Sequence, residues 1–169
     1  MALEIERRFL VRGEGWREHV SWQRRLQQGY LSAAAQGFTT RVRSDGAGGA
    51  WLTLKCAASG QGPVARHEFE YPIPADDAEA LLALAPTSLS KWRHGLDCLG
   101  GEWVLDVFEA GNAPLVIAEV ELASAQAELT VPPWCVCEIT AEGRFSNAAL
   151  AQTPWCSWCD SDRRRWPVG

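Results

Sequence analysis

At 169 residues, with 47% hydrophobic and 22% charged side chains, the chain suits one domain with a sizeable core, and no apolar run approaches the roughly 20 residues of a membrane-spanning helix. A formal net charge of -5 argues against a broad nucleic-acid-binding surface. Acidic side chains appear at once, without the basic and apolar regions of a secretory signal, so a cytoplasmic setting without a membrane partner and with reduced cysteines is expected.

The run "LEIERRFLV" (3 to 11) places Glu4, Glu6 and Arg8 at alternate positions between Ile5 and Phe9, the period of a strand with one charged side. "LQQGYL" (26 to 31) reads as another strand. "FTTRVRS" (38 to 44) carries Arg41 and Arg43 on one side, and "AWLTLKC" (50 to 56) carries Thr53 and Lys55. Between them "SDGAGG" (44 to 49) has hairpin-loop chemistry, as does "ASGQGP" (58 to 63) before "RHEFEYPI" (66 to 73), where Glu68 and Glu70 alternate. "ADDAEALLALAP" predicts a helix capped by Asp76 or Asp77, with Leu81, Leu82 and Ala85 at helical spacing and Pro86 as its stop. "WVLDVFEAG" (103 to 111) separates Val104, Asp106 and Phe108 from Leu105 and Val107. "IAEVEL" (117 to 122) supplies another carboxylate pair, Glu119 and Glu121, and a short helix is expected around residues 147–151. After Leu150 the character changes, and "TPWCSWCDSDRRRWPVG" reads as a tail with local anchors.

Chance alone gives about eight charged i, i+2 pairs at this charge content, so what matters is that these pairs interleave with apolar residues on strands. Two arrangements fit. The charges lie on the solvent face of an antiparallel meander, or they point into the lumen of a closed barrel. In the second, carboxylates and cations converge on one space. Clustered carboxylates are best tolerated around hard divalent cations, and clustered cations need anions, so a metal-bound polyphosphate satisfies both sets.

The ordered segments "EIERRFLV", "QGYL", "TRVRS", "LTLK", "RHEFEY", "SKWRH", "LDVFEAG", "AEVEL", "VPPW" and "EITAEGRFSNAALA" resemble the CYTH superfamily of triphosphate tunnel metalloenzymes, in particular its small bacterial branch. The resemblance spans roughly the first 150 residues, giving a domain over 1–152 and a tail over 153–169. It implies a mainly β (α+β) fold, a closed eight-stranded antiparallel barrel with a few peripheral helices. By motif, Glu4, Glu6, Glu119 and Glu121 would ligate metal, with Glu68, Glu70 and Asp106 as further ligands or outer contacts. Arg8, Arg41, Arg43, Lys55, Lys91, Arg93 and Arg144 would hold phosphate oxygens, with Arg66 a weaker candidate. Catalysis would rest on Glu4, Glu6, Arg8, Glu119 and Glu121 with two ions of Mg2+ or Mn2+. The partner implied is a triphosphate-containing small molecule, and a homodimer is left open. One departure is Arg8, where the family signature ends in lysine; guanidinium grips phosphate well but is a poor proton donor or acceptor.

The expected reaction is hydrolysis of inorganic tripolyphosphate to pyrophosphate and phosphate. Thiamine triphosphatase, class IV adenylate cyclase and a non-catalytic polyphosphate binder are the alternatives. The cyclases usually carry a His-Phe segment ahead of the signature, whereas only Met1 to Leu3 precede Glu4 here. Cys135, Cys137, Cys156 and Cys159 form two close pairs that could bind a structural zinc, but the first spacing is short for a zinc knuckle and free thiols are expected. His67 should alternate away from Arg66, Glu68 and Glu70. The terminal "RRRW" is read as a solvated charge run, and the nine tryptophans as barrel packing and tail docking.

Overall fold

Alternation of apolar and charged residues builds most of this molecule as β structure. The computed structural model describes residues 2–33, 37–57 and 65–169, the side chains of residues 2–4 and 65 excepted. Its strands are β1 (Ala2–Val11), β2 (Val20–Ala33), β3 (Thr39–Ser44), β4 (Ala50–Ala57), β5 (Ala65–Pro72), β6 (Thr87–Leu96), β7 (Glu102–Phe108), β8 (Val116–Glu121) and β9 (Cys135–Glu138). Its α-helices are α1 (Ala75–Leu84), α2 (Asn147–Gln152) and the short α3 (Asp160–Arg163). No helix among the described residues is long and apolar enough to cross a membrane.

The strands form one nine-stranded antiparallel sheet in the order β5-β4-β3-β2-β6-β7-β8-β1-β9. β1 also borders β5 through Ala2 to Ile5, then β8 through Glu6 to Leu10, and β9 through Phe9 to Val11. Two differences from the sequence reading stand out. Residues 26–31 belong to the second half of a much longer β2, and the sequence pattern does not disclose β6 and β9 as strands. The Ser44 to Gly49 hairpin is confirmed: Asp45 Oδ1 accepts from the amides of Ala47 and Gly49 at 2.9 and 2.8 Å. The other loop, residues 58–63, lies outside the described residues.

α1 begins one residue before the expected cap. Pro74 occupies the N-cap without a side-chain hydrogen bond, while Asp76 and Asp77 fall in the first turn, where carboxylates favour the helix dipole. Ala85 turns extended ahead of Pro86 and ends the helix, as the proline requires. Its last turn presses on β2 at Gly29, where an added Cβ would stand 2.8 Å from Ala85 Cβ. α2 starts where expected, capped by Ser146 Oγ accepting from the Ala149 amide at 3.2 Å.

Strand alternation divides the interior into two apolar groups. Phe9, Val11, Trp103, Leu105, Ala118 and Val120 pack with Trp16 and Trp134 on one side of β1, β7 and β8. Leu10, Leu89, Phe108 and Ile117 belong to the other side and meet Phe145, Leu150, Trp155 and Trp158. The ending after Leu150 is therefore anchored in the core by its tryptophans.

Asn112, in the β7–β8 connection, fastens that anchor. Its Nδ2 donates to the Leu150 carbonyl at 3.1 Å and its Oδ1 accepts from the Trp155 amide at 2.9 Å, all buried. Asn112→Ala leaves two buried backbone groups unpaired, and we expect it to lower unfolding free energy by about 2–4 kcal/mol, read from the shift in urea midpoint.

Candidate functional site

Residues opposite one another in antiparallel pairs project to the same side, so register stacks the charges. Arg8 faces Glu119 and Glu6 faces Glu121 across β1 and β8; Arg93 faces Asp106 across β6 and β7. On the other side Tyr30 faces Arg41, Arg41 faces Thr53, Thr53 faces Glu70, and Lys55 faces Glu68. These rows enclose a cavity of about 540 Å³ bordered by Glu6, Arg8, Arg41, Arg43, Lys55 and Arg66, with Glu68, Arg93 and Glu119. Residues 143, 146–149 and 152 supply a further wall from α2 and the turn before it.

Beneath the cavity lies a buried ionic network. Lys91 Nζ donates to Asp106 Oδ2 at 2.5 Å, and Arg93 donates to both Asp106 oxygens at 2.8 and 2.7 Å. Arg93 Nη2 continues to Glu119 Oε2 at 2.9 Å, and Lys91 also donates to Asn147 Oδ1 at 2.9 Å. Burial acts to raise the Asp106 carboxyl, but the two cations outweigh it and hold it far below the usual range. The same contest, with Arg93 prevailing, lowers Glu119. Burial pushes the Lys91 ammonium down to about 8 despite Asp106. Arg93, opposed by burial but flanked by Asp106 and Glu119, is held well above its ordinary value and stays charged.

The arginines on β3 are less completely satisfied. Arg41 Nη2 donates to Thr53 Oγ1 at 3.1 Å, and Arg43 Nη2 reaches Glu70 at 3.0 Å, yet the buried Nε–H of each has no partner. Burial, then repulsion from Arg41, lowers Arg43 to about 10. Burial raises the Tyr30 phenol to about 12, so it borders the cavity as a neutral hydroxyl. Both guanidiniums are thus incompletely satisfied by the protein, and both side chains border the cavity.

The acidic end has the complementary character. Glu121 lies opposite both Glu6 and Glu102, and its carboxyl is raised by burial and then by repulsion from Glu102, Glu68 and Glu6. Gathered carboxylates that repel one another are a donor set suited to a hard, oxygen-seeking cation. Among the described residues, no three Asp, Glu, His or Cys side chains are grouped closely enough to hold one. Glu4 stands opposite Arg66 along the backbone, and its side chain is outside the described set.

Not every expected residue reaches the cavity. Lys91 and Asp106 have no exposed side-chain surface and brace it from below. Glu70 pairs with Arg43 and accepts from Thr53 at 2.8 Å, and Glu121 lies at the exposed edge. Arg144 points to the tail, pairing with Asp162 at 3.0 Å and stacking 3.8 Å over the Trp158 ring. All six cysteines are free thiols. Tyr30, Ser146 and Asn147 border the cavity without having been singled out from sequence; alternation from Arg41's neighbour on β2 is the signal that could have found Tyr30.

The CYTH domain family matches residues 2–147. A protein named inorganic triphosphatase from Acetivibrio thermocellus is 31% identical over 157 residues, covering 92% of this chain and 97% of the relative. Another of that name from Nitrosomonas europaea is 34% identical over 154 residues, covering 88% and 96%. The crystal structure of an inorganic triphosphatase superposes with a TM-score of 0.62 at 30% identity, covering 89% of this chain and 95% of that one. With its strand order, its paired charges and these relatives together, the chain belongs to the CYTH domain family.

Proposed function

We propose that this protein is a divalent-metal-dependent triphosphatase that hydrolyses inorganic tripolyphosphate to pyrophosphate and phosphate. The observation that carries this reading is the convergence on one cavity of the guanidiniums of Arg8, Arg41, Arg43 and Arg93 with the carboxylates of Glu6, Glu68 and Glu119. The names of the two relatives point to the same substrate. We read the sheet as a closed barrel around this cavity, which the pairing of β1 with both β5 and β8 supports. Six free thiols suit the cytoplasm.

In this reading Arg8, Arg41, Arg43, Lys55 and Arg93 hold the phosphate oxygens, and Arg93 remains cationic throughout because Asp106 and Glu119 fix its charge. Lys91 holds Asp106 in place instead of touching substrate. Glu6, Glu119 and Glu121, with Glu4, are the residues that would ligate Mg2+ or Mn2+; the three described ones are not grouped closely enough by themselves, so the ion would have to draw them together with Glu4. When bound there, the metal supplies Lewis-acid polarisation of the phosphoryl oxygens and activation of water. The guanidiniums are preorganised by their carboxylate and threonine partners, so charge building on the leaving pyrophosphate meets donors already in position. Arg8 contributes binding and neutralisation and no proton transfer.

Phosphate release from tripolyphosphate, thiamine triphosphate, ATP and longer polyphosphate, each with magnesium or manganese, tests the assignment. Tripolyphosphate should be turned over best, and a pure protein inactive on it under every metal and pH would refute it. Glu6→Gln should lower turnover by at least roughly 100-fold while tripolyphosphate binding falls far less. Glu121 offers a test by stability. Its native pKa is raised above that of the unfolded chain, so the native state binds more protons and loses stability as rising pH ionises this group. Glu121→Gln should therefore raise Tm at pH 7 without metal, with the gain shrinking as pH falls through the raised native pKa and gone below the unfolded carboxylate pKa. Added magnesium should raise Tm more in the wild type than in the variant; equal shifts would remove Glu121 from the metal site.

A further inference from the structure

The wall formed by residues 143–152 is held by a part of the chain that the family match, ending at residue 147, does not cover. Phe145 is buried at 1% exposure and surrounded by three tryptophans of the ending. Its ring centroid is 4.9 Å from Trp166, nearly perpendicular, 5.1 Å from Trp158 and 6.2 Å from Trp155. Trp155 and Trp158 also pack on each other at 5.0 Å. The cage is closed by polar ties: Trp158 Nε1 donates to the Thr153 carbonyl at 3.1 Å, and Arg144 joins Trp158 to Asp162. Aromatic contacts of this number fix the ring, and with it the backbone of Phe145.

That backbone meets a residue of the cavity wall. The Phe145 carbonyl accepts from Arg8 Nη1 at 3.1 Å, a buried hydrogen bond, while Glu6 Oε1 lies 3.8 Å from Arg8 Nε. Arg8 is thus aimed across the cavity by one neutral acceptor whose position depends on the tail, together with a more distant carboxylate. An arginine side chain has several rotatable bonds, and without that acceptor its guanidinium would swing toward Glu6.

We propose that Trp155, Trp158 and Trp166 act as positioning residues for phosphate binding, holding the Phe145 carbonyl so that Arg8 presents its guanidinium to the substrate. This rests on the reading of Arg8 as a phosphate-holding group. It makes the C-terminal segment a working part of the site at a distance from it. Trp166 is the member of choice for testing, because it is partly exposed and its ring meets Phe145 edge-on from the last turn of the chain.

The experiment measures tripolyphosphate affinity by calorimetry without metal, in wild type, Trp166→Ala, Trp166→Leu, Trp166→Phe, Arg8→Ala and the Arg8→Ala/Trp166→Ala double variant. Thermal melts run in parallel, and Trp166→Leu keeps apolar volume should the alanine variant fail to fold. We expect Trp166→Ala and Trp166→Leu to weaken binding by about 10-fold, the scale of one charge-assisted hydrogen bond, and Trp166→Phe to restore it. The double variant should bind no more weakly than Arg8→Ala, since both changes act through one guanidinium. Wild-type affinity in Trp166→Ala beside weakened binding in Arg8→Ala overturns the tail's role alone. So do losses that multiply in the double variant, which would mark a general structural effect. Wild-type affinity in Arg8→Ala overturns the reading of Arg8 itself and the tail's role with it.

Discussion

A carboxylate wholly removed from solvent stays ionised only if cations stand against it, and Asp106 is such a group. Lys91 and Arg93 hold it from two directions, and each then extends the network, Lys91 to Asn147 on α2 and Arg93 to Glu119 on β8. Four elements are locked in register around one buried charge. Removing Asp106 would leave the buried Lys91 without a countercharge in a low-dielectric interior, a loss of about 3–5 kcal/mol, whereas the intact network presents Arg93 to the cavity at a fixed angle and charge. The remainder of the cavity takes its geometry from that floor.

The two ends of the charged face differ in how their electrostatics are resolved. At the floor of the cavity Lys91, Arg93 and Asp106 are closely paired, and Asp106 and Glu119 lie below their ordinary ranges. Toward Glu121 carboxylates face carboxylates, and Glu121 lies above its range. On β3, buried guanidinium N–H groups are left over. A surplus of negative charge at one edge and of donors at another is the polarity that a metal-bound polyanion would complete, with its cation toward the first and its oxygens toward the second.

Much of this was legible in the sequence, for a definite reason. Wherever charges alternated with apolar residues, as in residues 3–11, 38–44 and 117–122, the strand and its charged side could be read directly, because the period of two is a local property. β6 escaped because "TSLSKWRHGL" has polar residues on both sides of the pleat; Lys91 is buried only through Asp106 and Asn147, which come from elsewhere in the chain. The types of the basic residues suggested phosphate contacts, but depth was invisible: Lys91 lies beneath the cavity, and Arg144 is drawn outward by Asp162 and Trp158. Local pattern tells which way a side chain faces, and distant partners decide how far it reaches.

The aromatic enclosure of Phe145 has a temporal meaning as well. A ribosome adds Trp155, Trp158 and Trp166 only after the residues of all nine described strands have been joined, so the wall beside the cavity receives its clasp later than the sheet receives its strands. A chain cut ahead of Trp155 would possess the residues of the entire sheet and still lack the aromatic enclosure behind the carbonyl that accepts from Arg8.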